Sequence, residues 1–253
     1  MKVNGLAAMV TGGGSGMGAA VAQALAAQGA KVAVVDLNKD AAGQVADEIG
    51  GVAIECDVSI EKAAISAFDR ARDANGPIRL LVNCAGIATA GRVVGREGPL
   101  ALEEFERTIR VNLIGTFNMM RLAAAEMATL EPLDTEERGL IVNTASVAAF
   151  EGQIGQAAYS ASKGGVVGLT VPVARELSRH GIRVMAIAPG LIGTPMLLNM
   201  PEEVKDSLIA TTLFPHRLGE PEEFAKLVLA IADNVLLNGE VIRLDGAVRL
   251  APT

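Results

Sequence analysis

The chain of 253 residues contains few aromatic, cysteine and histidine side chains: no tryptophan, one tyrosine, two cysteines and two histidines. Cys56 and Cys84 lie in apolar runs without a CxxC spacing, which excludes a disulfide scaffold and is typical of a reducing compartment. His180 and His216 alone offer little from which to build a zinc alcohol dehydrogenase site or a histidine-based triad. The sequence therefore predicts no metal site.

Positive charge is scarce as well. Lysine and arginine total 22 against 29 acidic residues, giving a formal net charge of -7, and aromatic residues make up 3% of the chain. Proteins that bind nucleic acid need a basic surface and usually aromatic stacking platforms. We therefore expect no nucleic-acid partner.

The sequence has no long unbroken apolar run. Residues 184–201 carry no charge and are long enough to span a bilayer, but three prolines and two glycines prevent one regular membrane helix there. The apolar run at residues 6–10 is too short for a signal peptide. We expect a soluble, cytoplasmic protein with no membrane partner.

What the chain does contain is a regular alternation of short, β-rich apolar runs and longer stretches with helical apolar spacing. The strand-like runs are residues 6–10, 31–35, 52–56, 80–83, 140–143, 182–187 and 241–244, and the clearest helices are 19–28, 62–74, 102–128, 157–179 and 222–232. Strands this apolar are buried on both faces, and the alternation implies right-handed crossovers. This predicts one α/β domain over residues 1–253, a doubly wound Rossmann fold with a seven-stranded parallel sheet and helices on both faces.

Two segments depart from this alternation. Residues 129–138 are polar and acidic, which predicts a solvated excursion between a helix and the next strand. Residues 191–214 are apolar but broken by prolines. They form either a mobile lid over an apolar site or a short helix pair of ordinary core, and the pattern leaves both open.

A glycine-rich loop, Thr-Gly-Gly-Gly-Ser-Gly-Met-Gly at 11–18, joins the first strand to the first helix. Glycines such as Gly12, Gly16 and Gly18 let the backbone turn sharply and approach a pyrophosphate, while the helix N-terminus offers free N–H groups. A glycine cluster alone can be only a turn, but its place between strand and helix favours dinucleotide binding.

Asp36 ends the second strand, 24 residues after Gly12. A carboxylate there can accept hydrogen bonds from the adenosine ribose hydroxyls and would repel a 2′-phosphate. Because Lys39 is the only basic residue nearby, the sequence favours NAD over NADP. The alternative is a simple acidic cap at a strand end.

Further residues follow the third and fourth strands, where the carboxyl ends of a parallel sheet line the ligand crevice. They are Asp57 and Val58 after the third strand, and Cys84, Ala85 and Gly86 after the fourth.

The most informative pattern is formed by Ser146, Tyr159 and Lys163. Lys163 lies four residues after the chain's one tyrosine, on the same helical face, and Ser146 precedes that tyrosine by 13 residues. A phenol is a poor base until a cation favours the phenolate, which Lys163 can do. Ser146 can hold the substrate oxygen, so the three side chains suit hydride transfer between an alcohol and a nicotinamide.

Asn112 lies in the middle of the predicted helix 102–128, where asparagine is a poor helix former. It is either a tolerated polar residue or one that bends the helix and holds a water for proton relay. The sequence does not choose between these.

Together these residues resemble the short-chain dehydrogenase/reductase family over nearly the whole chain. The motifs that carry the resemblance are the 11–18 loop, Asp36, Asn-Cys-Ala-Gly at 83–86, Asn112, the Ser146/Tyr159/Lys163 spacing, and Pro189-Gly190 followed by Thr194. The resemblance implies that Ser146, Tyr159 and Lys163 are catalytic and that Asn112 completes a proton relay. Cys84 replaces the family's usual asparagine, which we expect to affect packing under the cofactor more than chemistry.

Within the family, residues 143–165, 187–195 and 237–246 look like the 3-hydroxyacyl-CoA dehydrogenases, which are also described as hydroxysteroid dehydrogenases. This likeness implies a homotetramer and substrate contacts by Ser146, Gln153 and Tyr159. It also implies cofactor contacts by Ser15, Met17, Asp36, Asp57, Val58, Cys84, Tyr159, Lys163, Pro189, Ile192 and Thr194.

Three functions follow as hypotheses. The first is NAD-dependent interconversion of (S)-3-hydroxyacyl-CoA and 3-ketoacyl-CoA, for which Arg92, Arg96 or Arg217 would have to meet the CoA phosphates. The second is the same chemistry on a hydroxysteroid or another aryl or alicyclic alcohol. The third, a nucleotide-binding regulator without catalysis, conflicts with the intact Ser146, Tyr159 and Lys163 set.

Overall fold

The computed structural model of the protein describes residues 1–198, 202, 208, 209 and 211–252. Its strands are β1 (Ala7–Thr11), β2 (Lys31–Asp36), β3 (Val52–Glu55), β4 (Ile78–Asn83), β5 (Val94–Gly95), β6 (Gly98–Pro99), β7 (Gly139–Thr144), β8 (Ile182–Pro189) and β9 (Val241–Leu244). β5 and β6 form a separate antiparallel hairpin, and the other seven pair in parallel in the order β3-β2-β1-β4-β7-β8-β9. The predicted seven-stranded parallel sheet is confirmed.

The described helices are α1 (Gly16–Ala27), α2 (Lys39–Ile49), α3 (Glu61–Asn75), α4 (Leu102–Ile109), α5 (Thr116–Met127), α6 (Ala157–Ser178), α7 (Pro195–Leu198) and α8 (Pro221–Asp233). A π-helical turn, Arg110–Gly115, joins α4 to α5, and a 3-10 turn, Val147–Ala149, follows β7. None of these helices combines the length and apolar composition needed to cross a bilayer.

Helices cover both faces of the sheet, and successive strand residues face opposite layers. In β1, Ala8 and Val10 pack in a buried cluster with α1 and α8, whereas Ala7 and Met9 pack in another with α3, α5 and α6. A fully buried side chain such as Phe224 of α8 contributes about 1.5–3 kcal/mol through removal from water. The doubly wound arrangement therefore accounts for strands that are mostly apolar and buried on both faces.

The order of the strands reverses at β1. β1 is bonded to β2 on one side and to β4 on the other, so the chain leaves β1 and β4 toward opposite faces. In open parallel sheets a crevice forms at the carboxyl ends of the strands beside such a reversal. This topology fixes where a ligand site can form.

The region predicted as one helix over 102–128 differs from that prediction, since α4 and α5 are separated by the π-helical turn. Asn112, in that turn, is fully buried and exchanges two hydrogen bonds with the main chain of Ile87. A π turn inserts one extra residue into a helix and often occurs at functional sites. Of the two alternatives for Asn112, the structure therefore supports a distorted helix.

α2 was not among the predicted helices, because it buries only a narrow stripe, with Val45 as its largest buried residue. Its start carries a recognisable signal: Asn38 accepts hydrogen bonds from the backbone N–H groups of Asp40 and Ala41, each at 3.1 Å. Such a cap stabilises a helix N-terminus.

The expectation of a fully solvated excursion at 129–138 is wrong for Glu137. Its carboxylate is buried and forms an ion pair with Arg183 Nε at 2.5 Å. The Arg183 guanidinium also donates to the carbonyls of Ile231 and Ala232, at the end of α8. Burial of a charge is tolerable when it is paired and hydrogen-bonded in this way.

Part of the predicted lid at 191–214, namely residues 199–201, 203–207 and 210, lies outside the described residues. Before that part, Ile192 forms an isolated parallel bridge with Gly219, and α7 follows. After it, Leu213 and Phe214 are largely exposed. These last two side chains are therefore not ordinary core.

Candidate active site

A cavity of about 890 Å³ opens at the carboxyl ends of β1, β2, β4, β7 and β8, beside the reversal of strand order. Every predicted catalytic, cofactor-binding and substrate-binding residue except Asn112 lines it, apart from the arginines considered below: Gly12, Ser15, Gly16, Met17, Gly18, Asp36, Asp57, Val58, Cys84, Ala85, Gly86, Ser146, Gln153, Tyr159, Lys163, Pro189, Ile192 and Thr194. The fold thus brings the predicted cofactor, substrate and catalytic residues to one cavity.

The glycine-rich loop leaves no room for side chains on the wall of this cavity. Gly12 has φ of 63°, and a Cβ added there would lie 2.7 Å from the backbone nitrogen of Ala85. A Cβ at Gly18 would collide with the Gly12 carbonyl oxygen. Such a close-packed backbone beside the N-terminus of α1 fits a pyrophosphate.

The Asp36 carboxylate is oriented by two backbone donors at the end of β2. Gly14 N–H donates to Oδ2 at 3.0 Å, and Asn38 N–H donates to Oδ1 at 2.9 Å. In the described part of the chain, Asp36 has no ion pair with lysine or arginine. The carboxylate therefore has no side-chain cation against it within the described residues, and it has spare acceptor capacity beside the cavity.

Asp57 and Val58 line the cavity after β3. The Asp57 carboxylate accepts hydrogen bonds from both the backbone N–H and the hydroxyl of Ser59, at 2.9 and 2.7 Å. The Val58 carbonyl accepts a 2.8 Å hydrogen bond from Asn118 of α5. These bonds hold the loop after β3 in place.

Tyr159 and Lys163 lie one turn apart on α6, and the Lys163 Nζ lies 5.8 Å from the centre of the Tyr159 ring. Lys163 is buried and donates a 2.7 Å hydrogen bond to the Thr144 carbonyl at the end of β7. Burial lowers the pKa of Lys163 to about 8. A cation near the phenol favours the phenolate.

Burial raises the pKa of the Tyr159 phenol, and a hydrogen bond with the Ser146 hydroxyl opposes that rise. Ser146 itself is the cap of the 3-10 turn, where its Oγ accepts a 3.1 Å hydrogen bond from the Ala148 N–H. The serine hydroxyl hydrogen therefore remains available to point at Tyr159 or at a substrate oxygen.

Asn112 lies behind the cavity wall. Its Oδ1 accepts from Ile87 N–H at 2.8 Å, and its Nδ2 donates to the Ile87 carbonyl at 2.9 Å and to Ser162 Oγ at 3.0 Å. Gly86 separates it from the site, since a Cβ at Gly86 would lie 3.1 Å from Asn112 Oδ1 and 3.6 Å from Lys163 Nζ. Asn112 therefore holds the loop after β4 against α6.

The Cys84 thiol also faces the cavity, in contact with the Thr144 hydroxyl at 3.7 Å. Burial raises its pKa to about 11, against the opposing effects of Thr144 and Lys163. Cys84 is thus a neutral thiol at physiological pH.

Sequence reasoning missed several cavity residues. Lys163 is held by the main-chain carbonyl of Thr144, and a main-chain group leaves no signal in the sequence. Gln156, three residues before Tyr159, also lines the cavity, although it lies within the 143–165 run named above. Leu250 and Ala251 also line the cavity, and they lie outside every motif named in the sequence, a few residues after the 237–246 run.

Of the three arginines expected to meet CoA phosphates, Arg217 already forms an exposed ion pair. Both of its terminal nitrogens bind the Glu223 carboxylate, at 2.8 and 2.9 Å. Arg92 and Arg96 are exposed around β5, and neither forms an ion pair within the described residues. They remain candidates.

Comparison with known proteins gives the family. The model described as short chain dehydrogenase matches residues 6–205. The 3-hydroxyacyl-CoA dehydrogenase type-2 of Drosophila melanogaster is 53% identical over 248 residues, covering 96% of this chain and 97% of the relative. The protein of that name from Homo sapiens is 52% identical over 255 residues, covering 99% and 98%. A crystal structure of 3-hydroxyacyl-CoA dehydrogenase type-2 from Mycobacterium avium superimposes with a TM-score of 0.94 at 42% identity, covering 98% of each chain.

The chain belongs to the short chain dehydrogenase family. It is an oxidoreductase, as the spacing of Ser146, Tyr159 and Lys163 predicted, and family membership implies a nicotinamide cofactor.

Proposed function

We propose that the protein interconverts (S)-3-hydroxyacyl-CoA and 3-ketoacyl-CoA with NAD as the cofactor. The observation that carries this proposal is that Tyr159, Lys163 and Ser146 share one cavity with Asp36 and the glycine-rich loop. An acid/base group and a nucleotide site are thereby joined, as hydride transfer requires. The substrate class is supported by the names of relatives that are about half identical over nearly the full chain.

NAD is the form of the cofactor that Asp36 favours. Its carboxylate, oriented by Gly14 and Asn38, would accept hydrogen bonds from the ribose hydroxyls and repel a 2′-phosphate. Gly12, Gly16 and Gly18 would hold the pyrophosphate at the start of α1. The other proposed cofactor contacts are Ser15, Met17, Asp57, Val58, Cys84, Ala85, Gly86, Tyr159, Lys163, Pro189, Ile192 and Thr194.

When bound, NAD supplies the ring carbon that accepts hydride from the alcohol, and NADH returns it to the ketone. In the oxidation, the Tyr159 phenolate removes the hydroxyl proton and the Lys163 ammonium stabilises that phenolate. In the reduction, the Tyr159 phenol gives the proton back, while Ser146 donates a hydrogen bond to the developing oxyanion. Lys163 is held for this role by the Thr144 carbonyl.

The beginning of the acyl chain would lie along the apolar part of the cavity. Leu191, Leu197, Leu208 and Leu250 line that part, and Gln153 supplies a polar group beside it. Apolar walls also suit a hydroxysteroid or an aryl or alicyclic alcohol, so these define the competing substrates in the test.

The test is to compare kcat/KM for acetoacetyl-CoA, a steroid ketone and an aryl methyl ketone, followed by NADH absorbance under one set of conditions. We expect acetoacetyl-CoA to be the best substrate. A steroid or aryl ketone favoured by tenfold or more would replace the acyl-CoA assignment with the second hypothesis.

We further propose a homotetramer in a reducing compartment such as the cytoplasm. Ile114, Phe117 and Val171 are exposed apolar side chains on the π-helical turn, α5 and α6, which supports contact with other copies. Cys56 and Cys84 are both free thiols, which supports a reducing compartment. Light scattering coupled to size-exclusion chromatography measures the assembly directly.

A further inference from the structure

Residues 248–252, which follow β9 and are called the closing segment below, cover the substrate end of the cavity. Leu250 and Ala251 of this segment line the cavity together with Gln153, Gln156 and Leu208. The Leu250 side chain is partly buried. An apolar side chain from outside every motif thus forms part of the wall.

The closing segment is fixed at its start. Val248 is fully buried, and its Cγ1 lies beside Gly190, where an added Cβ would meet it at 3.2 Å. The Val248 carbonyl accepts hydrogen bonds from Arg243 at 3.0 Å and from Arg249 at 2.7 Å. The path of the chain into Leu250 is therefore well determined.

The segment is also bonded to the loop that precedes Tyr159. Gln153 Nε2 donates to the Ala251 carbonyl at 3.1 Å, and Ile154 N–H donates to the Pro252 carbonyl at 2.9 Å. Since this loop joins Ser146 to Tyr159, the segment is attached to the frame that carries the catalytic side chains.

Glu151 makes the remaining attachment. Its Oε2 accepts a 3.1 Å hydrogen bond from the Leu250 N–H, while its Oε1 forms ion pairs with Arg243 at 2.8 Å and Arg249 at 3.3 Å. One carboxylate thus connects Leu250 to both arginines that hold Val248. Movement of Leu250 away from the cavity would break these bonds together.

We propose that the closing segment is the end wall of the acyl pocket, that Leu250 determines how long an acyl chain is accepted, and that Glu151 is the positioning residue that holds Leu250 there. This inference rests on the proposed function. A fixed apolar wall favours chains that end at it and opposes longer ones. In an apolar pocket, each methylene gained or lost changes kcat/KM by about 10-fold or more.

The experiment measures kcat/KM for acetoacetyl-CoA and 3-ketododecanoyl-CoA with NADH. Leu250→Ala is expected to raise the long-to-short ratio by about fivefold or more, mainly through a lower KM for the long thioester, and Leu250→Phe is expected to lower it. Leu236→Ala is the matched control, because Leu236 is 92% exposed and absent from the cavity lining. That variant should leave the ratio within twofold of the unmodified protein.

Glu151→Gln tests the positioning role, since it keeps the shape and removes the charge. We expect it to raise the long-to-short ratio as Leu250→Ala does, and the double variant to show less than the combined change of the two single ones. A purely structural role would instead lower kcat for both thioesters by the same factor and leave the ratio unchanged, which would overturn the positioning claim.

The outcomes distinguish a failure of the end-wall inference from a failure of the proposed function. If the unmodified protein reduces both thioesters but the ratio stays within twofold in both Leu250→Ala and Leu250→Phe, the end-wall inference is wrong. If the unmodified protein reduces neither thioester, the proposed function fails first and the inference fails with it. Because Leu250→Phe removes no buried contact, it remains usable if Leu250→Ala folds poorly.

Discussion

The ammonium of Lys163 is anchored to the carbonyl of Thr144 by a 2.7 Å hydrogen bond that joins α6 to the end of β7. Lys163 is only 5% exposed, and in the described part of the chain no carboxylate forms an ion pair with it. Its charge is therefore fixed in place without being neutralised, 5.8 Å from the centre of the Tyr159 ring. A neutral acceptor is what allows the cation to act on the phenol.

This arrangement predicts the alkaline limit of the reaction. Burial lowers the pKa of Lys163 to about 8, so the ammonium is charged below that pH and loses its proton above it. We expect kcat/KM for NADH in ketone reduction to fall as the pH rises through about 8, because this ratio reports groups of the free protein. The residual activity of Lys163→Met should not show this decrease of kcat/KM with rising pH. The same decrease in that variant would assign the titration to another group.

The same burial predicts a stability cost. The pKa of Lys163 is about 8 in the folded protein against 10.5 for an ordinary lysine, so between these values the unfolded chain binds more protons. The stability of the unmodified protein should therefore rise, by an amount on the order of a few kcal/mol, as the pH increases from about 8 to 10.5, and Lys163→Met should lack this rise. Urea unfolding of both proteins at neutral and at alkaline pH measures the effect. The same rise in the methionine variant would contradict the assignment.

Removal of the phenolic oxygen should stop turnover. Tyr159→Phe deletes one oxygen and keeps the ring that packs beside Lys163. General acid/base groups contribute about 10²- to 10⁴-fold, so we expect kcat to fall by at least 10²-fold. NADH binding, measured by fluorescence titration, should change little. A variant that keeps a third of the original kcat would exclude Tyr159 as the acid/base.

Much of the fold could be predicted because its strands are buried on both faces. The seven apolar runs correspond to seven parallel strands, and the reversal of strand order places the ligand crevice where the glycine loop suggested. The π-helical turn could not be predicted, because it depends on hydrogen bonds between Asn112 and the main chain of Ile87, 25 residues away. α2 was not predicted because its apolar stripe is narrow, although Asn38 is a recognisable N-cap residue in the sequence.

The candidate site could likewise be predicted only in part from the sequence. Side chains with a fixed spacing on one helix, such as Tyr159 and Lys163, are visible in a sequence because helical geometry alone brings them together. The acceptor for Lys163 is a main-chain carbonyl, which every residue possesses, and so it carries no signal. Leu250, which lines the cavity, donates its backbone N–H to Glu151, 99 residues earlier in the chain. Only the folded path of the chain reveals such contacts.

Asp36 should control the choice between NADH and NADPH. Asp36→Asn keeps the size of the side chain and one acceptor oxygen, so it can accept from the N–H of Gly14 or of Asn38 but not from both, and it removes the charge that repels a 2′-phosphate. We expect the ratio of kcat/KM for NADH to that for NADPH to fall by about tenfold or more, since loss of a like-charge contact is worth several kcal/mol. Asp40→Asn, in the exposed first turn of α2, is the matched control. Equal use of both cofactors by the unmodified protein would show that Asp36 does not have this role.

Gly18 should be intolerant of even one added methyl group. A Cβ there would collide with the carbonyl oxygen of Gly12, which belongs to the backbone and cannot swing away like a side chain. Gly18→Ala must therefore displace the loop from α1, at a cost of about 1–3 kcal/mol in stability. Because the same loop would hold the pyrophosphate, the Kd for NADH should rise by at least about tenfold, a change read by fluorescence titration beside a thermal melt. Gly43→Ala is the matched control, since that glycine lies inside α2 with open space around it and alanine favours a helix by about 1 kcal/mol. The control should bind NADH normally and melt at the same or a higher temperature; Gly18→Ala behaving in the same way would show that the loop does not require its close backbone packing.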